Sequence, residues 1–347
     1  MANFLPGRDL CRAFYNEVLA PLVQVPHSAG LLGPGSDVLG YDTERSTDHD
    51  WGPRCTVLVA EPSVAEVRER ILTALPTTFR GWPVSLGRDD QPPTPQVVVD
   101  SPSAWLRGQL GWGPGADGLS TGDWLLVPQQ RLLGITAGAV FADSDGTLDR
   151  LRRRLTWYPD DVWWWLLASQ WGRLAQEEPF VQRTAEVGDD LGSRMVAGRL
   201  VRDCMRLALL LARRYAPYSK WLGTAFSRLP DADGLTGLLA DAMAASSLQD
   251  RETALGHAYV CLGTRFNALT GGPPVDTTLG PFWDRPALVI HAGRFAAAAL
   301  ARVSDPVLAT LPLIGSVDQL LDSTDVLNRP DLTAAMRGYY RSLGFPP

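Results

Sequence analysis

The sequence predicts an α+β protein, with a small mixed α/β domain over residues 1–146 and an all-helical domain over residues 147–347. Three observations carry that expectation. Short β-rich runs alternate with helical patterns up to about residue 142, the arrangement of a layered sheet-and-helix domain. Beyond Leu148 the apolar residues recur at helical spacing and convincing strands give out. At 347 residues the chain is long enough for two domains, each with its own core.

Taken in order, residues 6–25 place Leu10, Phe14, Val18, Leu19 and Leu22 close to helical spacing and predict an amphipathic helix. Residues 27–32 are short and apolar and predict the first strand, which runs into a Gly-Ser turn (Gly35, Ser36). A strand is expected over 48–60, ending in Cys-Thr-Val-Leu-Val-Ala. A helix follows over 64–75, introduced by Pro62-Ser63. Residues 84–86 and 97–99 are short strand candidates around a Pro-rich loop. In the second half, 161–175, 189–215, 235–245, 251–269, 286–303 and 332–343 read as helices separated by Gly/Pro punctuation. Trp163, Trp164, Trp165 and Trp171 read as core or domain interface rather than as a base-stacking platform.

Composition excludes several classes. The net charge of −6 argues against a dedicated duplex-DNA binder, which normally shows a basic face. No stretch reaches the length of a membrane span, and the first residues lack the apolar core of a signal peptide. The four cysteines (Cys11, Cys55, Cys204, Cys261) are scattered, which predicts reduced, mostly buried thiols and a cytoplasmic location. Of 32 basic residues only Lys220 is a lysine, an Arg-for-Lys bias expected of GC-rich codons. A lysine kept against that bias suggests a need for a compact, flexible ammonium.

The stretch with the most chemistry is 33–54, Gly-Pro-Gly-Ser-Asp-Val-Leu-Gly-Tyr-Asp-Thr-Glu-Arg-Ser-Thr-Asp-His-Asp-Trp-Gly-Pro-Arg. If Asp48–Asp50 is extended, alternation puts both carboxylates on one face, close enough to share a divalent cation. Without a cation, such neighbours repel and raise each other's pKa. Hard Mg²⁺ takes one or two carboxylates together with phosphate oxygens, and the turn offers N–H groups and a hydroxyl to a phosphate.

This stretch resembles the nucleotidyltransferase superfamily of the DNA polymerase β type, whose fingerprint is a Gly-Ser turn, an Asp-x-Asp on the next strand and a later third acid. The longer string from Gly40 to Arg54 looks like an uncharacterised bacterial family with this domain at its N-terminus and a helical domain after it. The resemblance implies a nucleotidyltransferase fold (a mixed sheet with flanking helices) carrying a C-terminal helical bundle, the active site lying in the cleft between them. It implies Mg²⁺ (or Mn²⁺) on Asp48 and Asp50, and phosphates on Gly35 and Ser36. The cargo would be a nucleoside monophosphate, most often AMP from ATP, and the acceptor a hydroxyl of a small molecule. A protein or tRNA acceptor, as in toxin-type relatives, is the alternative, and so is an idle nucleotide-binding or interaction module.

Further residues are candidates with a bland reading beside each. Asp100 closes the Val97–Val99 run, where the third acid would stand, or starts a helix as a cap. Glu177 and Glu178 are candidate carboxylate bases, or a solvated helix end before Pro179. Asp189 reads as another acid or as the cap of the long helix. Arg45, inside the fingerprint, is a second phosphate candidate. Tyr215-Ala-Pro-Tyr-Ser-Lys220-Trp-Leu looks like a motif of the same bacterial family, which would bring Lys220 to the triphosphate. His49 is expected in the core, and His27, His257 and His291 have no metal-ligand spacing. Val140-Phe-Ala-Asp143-Ser-Asp145-Gly looks like the aspartyl-phosphate motif of haloacid dehalogenase phosphatases. The lysine that motif needs is missing over 146–187, and an Asp-x-Asp-Gly turn is the plainer reading.

Overall fold

In a computed structural model the chain is described over residues 4–48, 51–87, 92–115, 118–230 and 232–345, with Asp48 described by its backbone alone. Its residues gather into two compact units. The first takes 1–120, 127–156 and 325–335, and the second takes 121–126, 157–324 and 336–347. The protein is thus α+β, a mixed sheet with helices in one unit and a mostly helical second unit.

The first unit begins with α1 (Gly7–Phe14), which continues as irregular helical turns to Leu22. Next come β1 (His27–Gly30), the one-turn helix α2 (Ser36–Leu39), a 3₁₀ turn over Glu44–Asp48, and β2 (Cys55–Val59). The strand expected over 48–60 therefore starts only at Cys55, and Asp48 ends a helical turn instead of lying in an extended run. α3 (Val64–Ala74) follows, then two small antiparallel pairs, β3 (Thr78–Phe79) with β4 (Trp82–Pro83) and β5 (Ser85–Leu86) with β6 (Thr94–Pro95). β7 (Val97–Asp100) leads into α4 (Pro102–Leu110), where the Ser101 hydroxyl caps the helix by accepting from the Ala104 N–H at 3.3 Å.

α5 (Thr121–Leu126) belongs to the second unit, while α6 (Gln129–Thr136), β8 (Val140–Asp143) and α7 (Thr147–Arg154) complete the first. The main sheet has the order β7-β2-β1-β8. β2 runs parallel to β7 and antiparallel to β1, and β1 is antiparallel to β8. β2 is buried along its whole length, as a central strand covered on both faces should be. Its Val57 and Val59 pack with Phe14, Val67, Ile71 and Phe79 in the core of this unit.

The second unit is built on α8 (Asp160–Glu177), α9 (Phe180–Glu186), α10 (Asp190–Leu211), α11 (Ser219–Ser227), α12 (Ala232–Ala244) and α13 (Leu248–Thr270). It also holds a hairpin, β9 (Gly280–Phe282) with β10 (Arg285–Val289), followed by α14 (Gly293–Leu300). The hairpin corrects the expectation of one helix over 286–303. Pro286 has no N–H for a helix interior, and its fixed φ suits an edge strand. Trp163, Trp165 and Trp171 are buried, Trp171 stacking on Phe295 with ring centroids 4.4 Å apart, so the tryptophan run is core as expected. Among the described residues no helix is long and apolar enough to cross a membrane.

Candidate functional site

The register of the sheet decides which residues can meet. Gly30 of β1 pairs with Thr56 of β2, and Cys55 pairs with Val97 of β7. One end of the sheet therefore collects the end of β1, the start of β2 and the start of β7. The opposite end collects the pairs His27–Val59, Leu58–Asp100 and Ser28–Asp143. The Gly-Ser turn leaves the first end, and residues 51–54 lead into β2 there.

The turn itself is held by charge. Gly33 and Gly35 have φ of 94° and 139°, where a side chain would be strained, and a Cβ on Gly35 would run into Arg54 and Asp37. Asp37, buried in the first turn of α2, accepts from Arg54 Nε at 2.9 Å and from its Nη2 at 2.5 Å. The same Nη2 donates to the Pro34 carbonyl at 2.8 Å. Arg54 is the residue just before β2, so a two-pronged ion pair ties the start of β2 to the turn after β1. Ser36, at the first position of α2, is half-buried with its N–H among those that have no acceptor inside the helix.

The intervening loop is pinned at two further points. One carboxylate oxygen of Asp42 accepts the Gly7 N–H at 2.6 Å, at the start of α1, and the Trp51 indole N–H at 3.1 Å. Trp51 is buried between Phe4, stacked at 5.8 Å, and the edge of Trp82 at 4.8 Å. Asp50 and His49 lie outside the described residues, and the side chain of Asp48 does too. Arg45 is exposed and has no hydrogen-bond or ion-pair partner among the described residues.

Asp100 stands elsewhere. It is level with Leu58, three residues along β7 from Val97, which at ~3.3 Å per residue is roughly 10 Å from the turn end of the sheet. Its carboxylate accepts the Ser101 N–H at 2.8 Å. The run of valines forms a strand as expected, and its parallel pairing with β2 carries its last residue away from the start of β2. Asp143 shares that far end and is engaged as a helix cap. It accepts from Ser28 Oγ at 2.6 Å and from the N–H groups of Leu148 and Asp149 at 3.1 and 2.9 Å. Burial pushes its pKa up, but those donors outweigh it and hold the carboxyl below the usual range. Asp145 is occupied by Thr147, and β8 is an antiparallel edge strand, so the phosphatase-like motif is a turn.

In the second unit, Glu177 pairs with Arg199 at 2.5 Å. Glu178 is buried and both its oxygens are spent, accepting from the Ile290 N–H at 2.9 Å and the Ala292 N–H at 2.8 Å. Burial raises its pKa to about 7, against the lowering effect of those N–H groups. The carboxylate thus holds the turn between β10 and α14. Asp189 caps α10 through the Gly192 N–H at 2.8 Å, the plainer of its two readings. Lys220 is exposed in the first turn of α11, its ammonium 5.2 Å from the Trp221 ring centre. His27 is satisfied by the Tyr15 hydroxyl at 2.7 Å and the Val25 carbonyl at 2.8 Å. Cys11, Cys55 and Cys204 are buried free thiols, and burial pushes the Cys11 thiol up to about 12.

Three residues at the turn escaped the reading of the sequence: Asp37, Asp42 and Arg54. Asp37 directly follows the Gly-Ser pair and Arg54 closes the fingerprint, but their pairing spans 17 residues and needs the strand order to be seen. Among the described residues no group of three or more His, Cys, Asp or Glu side chains comes together as a metal site. Asp37 and Asp42 are committed to Arg54, Gly7 and Trp51.

Residues 124–222 match a family described as a domain of unknown function (DUF4037), a stretch that includes the Tyr215–Leu222 motif. No curated protein gives a significant match. Among solved structures, a nucleotidyltransferase-like protein from Exiguobacterium sibiricum is similar at 14% identity over 76% of this chain and 79% of that one. Its TM-score is 0.31, a loose likeness.

Proposed function

We propose that the first unit binds a nucleoside triphosphate with Mg²⁺ at the turn end of its sheet, and that the protein transfers a nucleoside monophosphate to a hydroxyl. One observation supports this reading: Arg54, four residues after Asp50 in the chain, joins the start of β2 to the Pro34–Asp37 turn at one end of the sheet. Ser36 and the N–H groups of α2 are the proposed phosphate contacts, with Arg45, exposed on the same loop, as a further cation. Asp48 and Asp50 would hold the metal, which when bound neutralises charge on the triphosphate. The residues of this chain supply the rest: α2 orients the phosphates, and the Asp37–Arg54 pair keeps the turn open for them. ATP as donor and a small molecule as acceptor follow the resemblance of the 33–54 stretch.

Calorimetry with Mg-ATP tests the site. Binding is expected for the wild type and should vanish in the Asp48→Asn/Asp50→Asn variant, and binding that survives in that variant overturns the assignment. A second reading, a nucleotide-binding module without transfer, is favoured by the position of Asp100 at the far end of the sheet. Pyrophosphate release with any nucleotide and an acceptor panel excludes the module. Nucleotide label on macromolecules rather than small molecules would move the acceptor to protein or tRNA.

A further inference from the structure

The second unit holds a cavity that the nucleotide reading leaves unused. It lies between the last turns of α10 and α13 and has a volume of about 340 Å³. Ala208 and Leu211 of α10 line it, as do Arg265 and Leu269 of α13. Pro230, ahead of α12, and Arg214, just past α10, complete the wall. Sites for small molecules run from ~300 to 1,000 Å³, so the space suits a compact ligand. Apart from the two guanidiniums the lining side chains are apolar, and Leu269 is 42% exposed. A ligand with an apolar body would take that surface out of water.

Arg214 comes to the cavity through the turn that ends α10. Arg213 stands in that turn at a φ of 52°, a left-handed conformation that side chains seldom adopt. Its N–H donates to the Leu210 carbonyl at 3.1 Å, and the Arg214 N–H donates to the Leu209 carbonyl at 2.9 Å. This is the double closure of a Schellman turn. The two neighbouring guanidiniums then part. Arg213 pairs with Asp160 at 2.8 Å and lies over the Trp163 ring, 3.8 Å from its centre. Arg214 faces the cavity, and its guanidinium has no hydrogen-bond or ion-pair partner among the described residues. Arg265 has a contact of its own, so recognition of charge falls to Arg214.

The helix ends around the cavity are already met by donors. The Ala208 carbonyl accepts from the Ala212 N–H at 3.0 Å, and the Leu210 carbonyl also takes the Trp163 indole N–H at 2.8 Å. At the end of α13, the Thr270 carbonyl accepts from Arg302. The negative ends of the two dipoles are thereby blunted, and an open guanidinium sets the charge preference. We propose that this cavity binds a small carboxylate with an apolar tail, the carboxylate on Arg214 and the tail against Leu211 and Leu269. A planar guanidinium matches a carboxylate with two parallel hydrogen bonds. Inorganic phosphate would leave the apolar wall in water, and an uncharged chain would make no use of Arg214.

Calorimetry of the full chain with octanoate reads the outcome. Saturable binding of octanoate is expected, with 1-octanol and inorganic phosphate each weaker by about tenfold or more. Arg214→Ala should raise the octanoate dissociation constant about tenfold, and Leu269→Asp should abolish binding. Both side chains are exposed, so circular dichroism and melting should stay unchanged in the two variants. Absence of octanoate binding overturns the proposal, and so does octanoate binding that both variants leave intact. Octanol or phosphate binding as tightly as octanoate overturns it as well.

Discussion

The two ends of the four-stranded sheet make an instructive pair. Both are rich in acidic residues, and both follow strands of the same apolar type. At the turn end, Asp37 meets a guanidinium from the residue before β2, and the result fixes a backbone bend with two left-handed glycines. At the far end, Asp143 accepts from a hydroxyl and two N–H groups with Arg150 acting at longer range, and Asp100 accepts the N–H of its neighbour. A carboxylate facing backbone donors caps an element. The pair that joins two strands' connections fixes the turn between them instead.

The largest expected effect is at Asp37. Replacing it with Ala takes the carboxylate away from the Arg54 guanidinium and should cost about 3–5 kcal/mol in urea unfolding, with loss of Mg-ATP binding. Retained stability and binding would erase the distinction between the ends. Gly35→Ala forces a side chain into φ 139° against Arg54 and should cost about 1–3 kcal/mol by the same measurement.

At the far end, Asp143→Ala removes the cap of α7 and should cost about 1 kcal/mol while leaving nucleotide binding as it was. Because the folded pKa of Asp143 is depressed, its contribution is present above the unfolded value and is lost as the pH falls through the folded one. Acid unfolding of the wild type and of this variant should therefore converge at low pH.

Glu178 sharpens the comparison from the second unit, since it too accepts from backbone N–H groups but is buried enough to be raised to about 7. With a raised folded pKa, the native state holds its proton longer than the unfolded chain does. Stability should then fall as the pH rises from the ordinary carboxylate range to about 7, and Glu178→Gln should lack that slope. Asp100→Asn is the smallest expected change, within about 0.5 kcal/mol of wild type and without effect on Mg-ATP binding. A loss of turnover in that variant would put Asp100 back beside the turn.

Much of this was legible from local pattern. The Gly-Pro-Gly-Ser stretch encodes a turn because only glycine takes those φ values cheaply, and it sits where the sequence puts it. The tryptophan run of α8 is too apolar to remain in water, so its burial was also legible. Asp48 and β2 show the limit. The 3₁₀ turn over Glu44–Asp48 is held by short-range bonds, Ser46 Oγ accepting from the Thr43 N–H at 3.1 Å and the Thr47 hydroxyl donating to the Glu44 carbonyl at 2.9 Å, a side-chain-to-backbone pattern that competes with a strand and that apolar alternation does not reveal.

By itself the sequence determined the turn, the helical character of residues 160–270 and the buried aromatic core. Each depends on residue types acting over a few positions, through backbone sterics and the period of apolar side chains. Only the tertiary structure decided that Arg54 reaches back to Asp37, that Asp100 and Asp143 face away from the turn, and that Glu178 is spent on the 290–292 turn. Those outcomes depend on strand order, register and which N–H groups are left without water, and pairings over 17 to 115 residues leave no periodic trace in the chain.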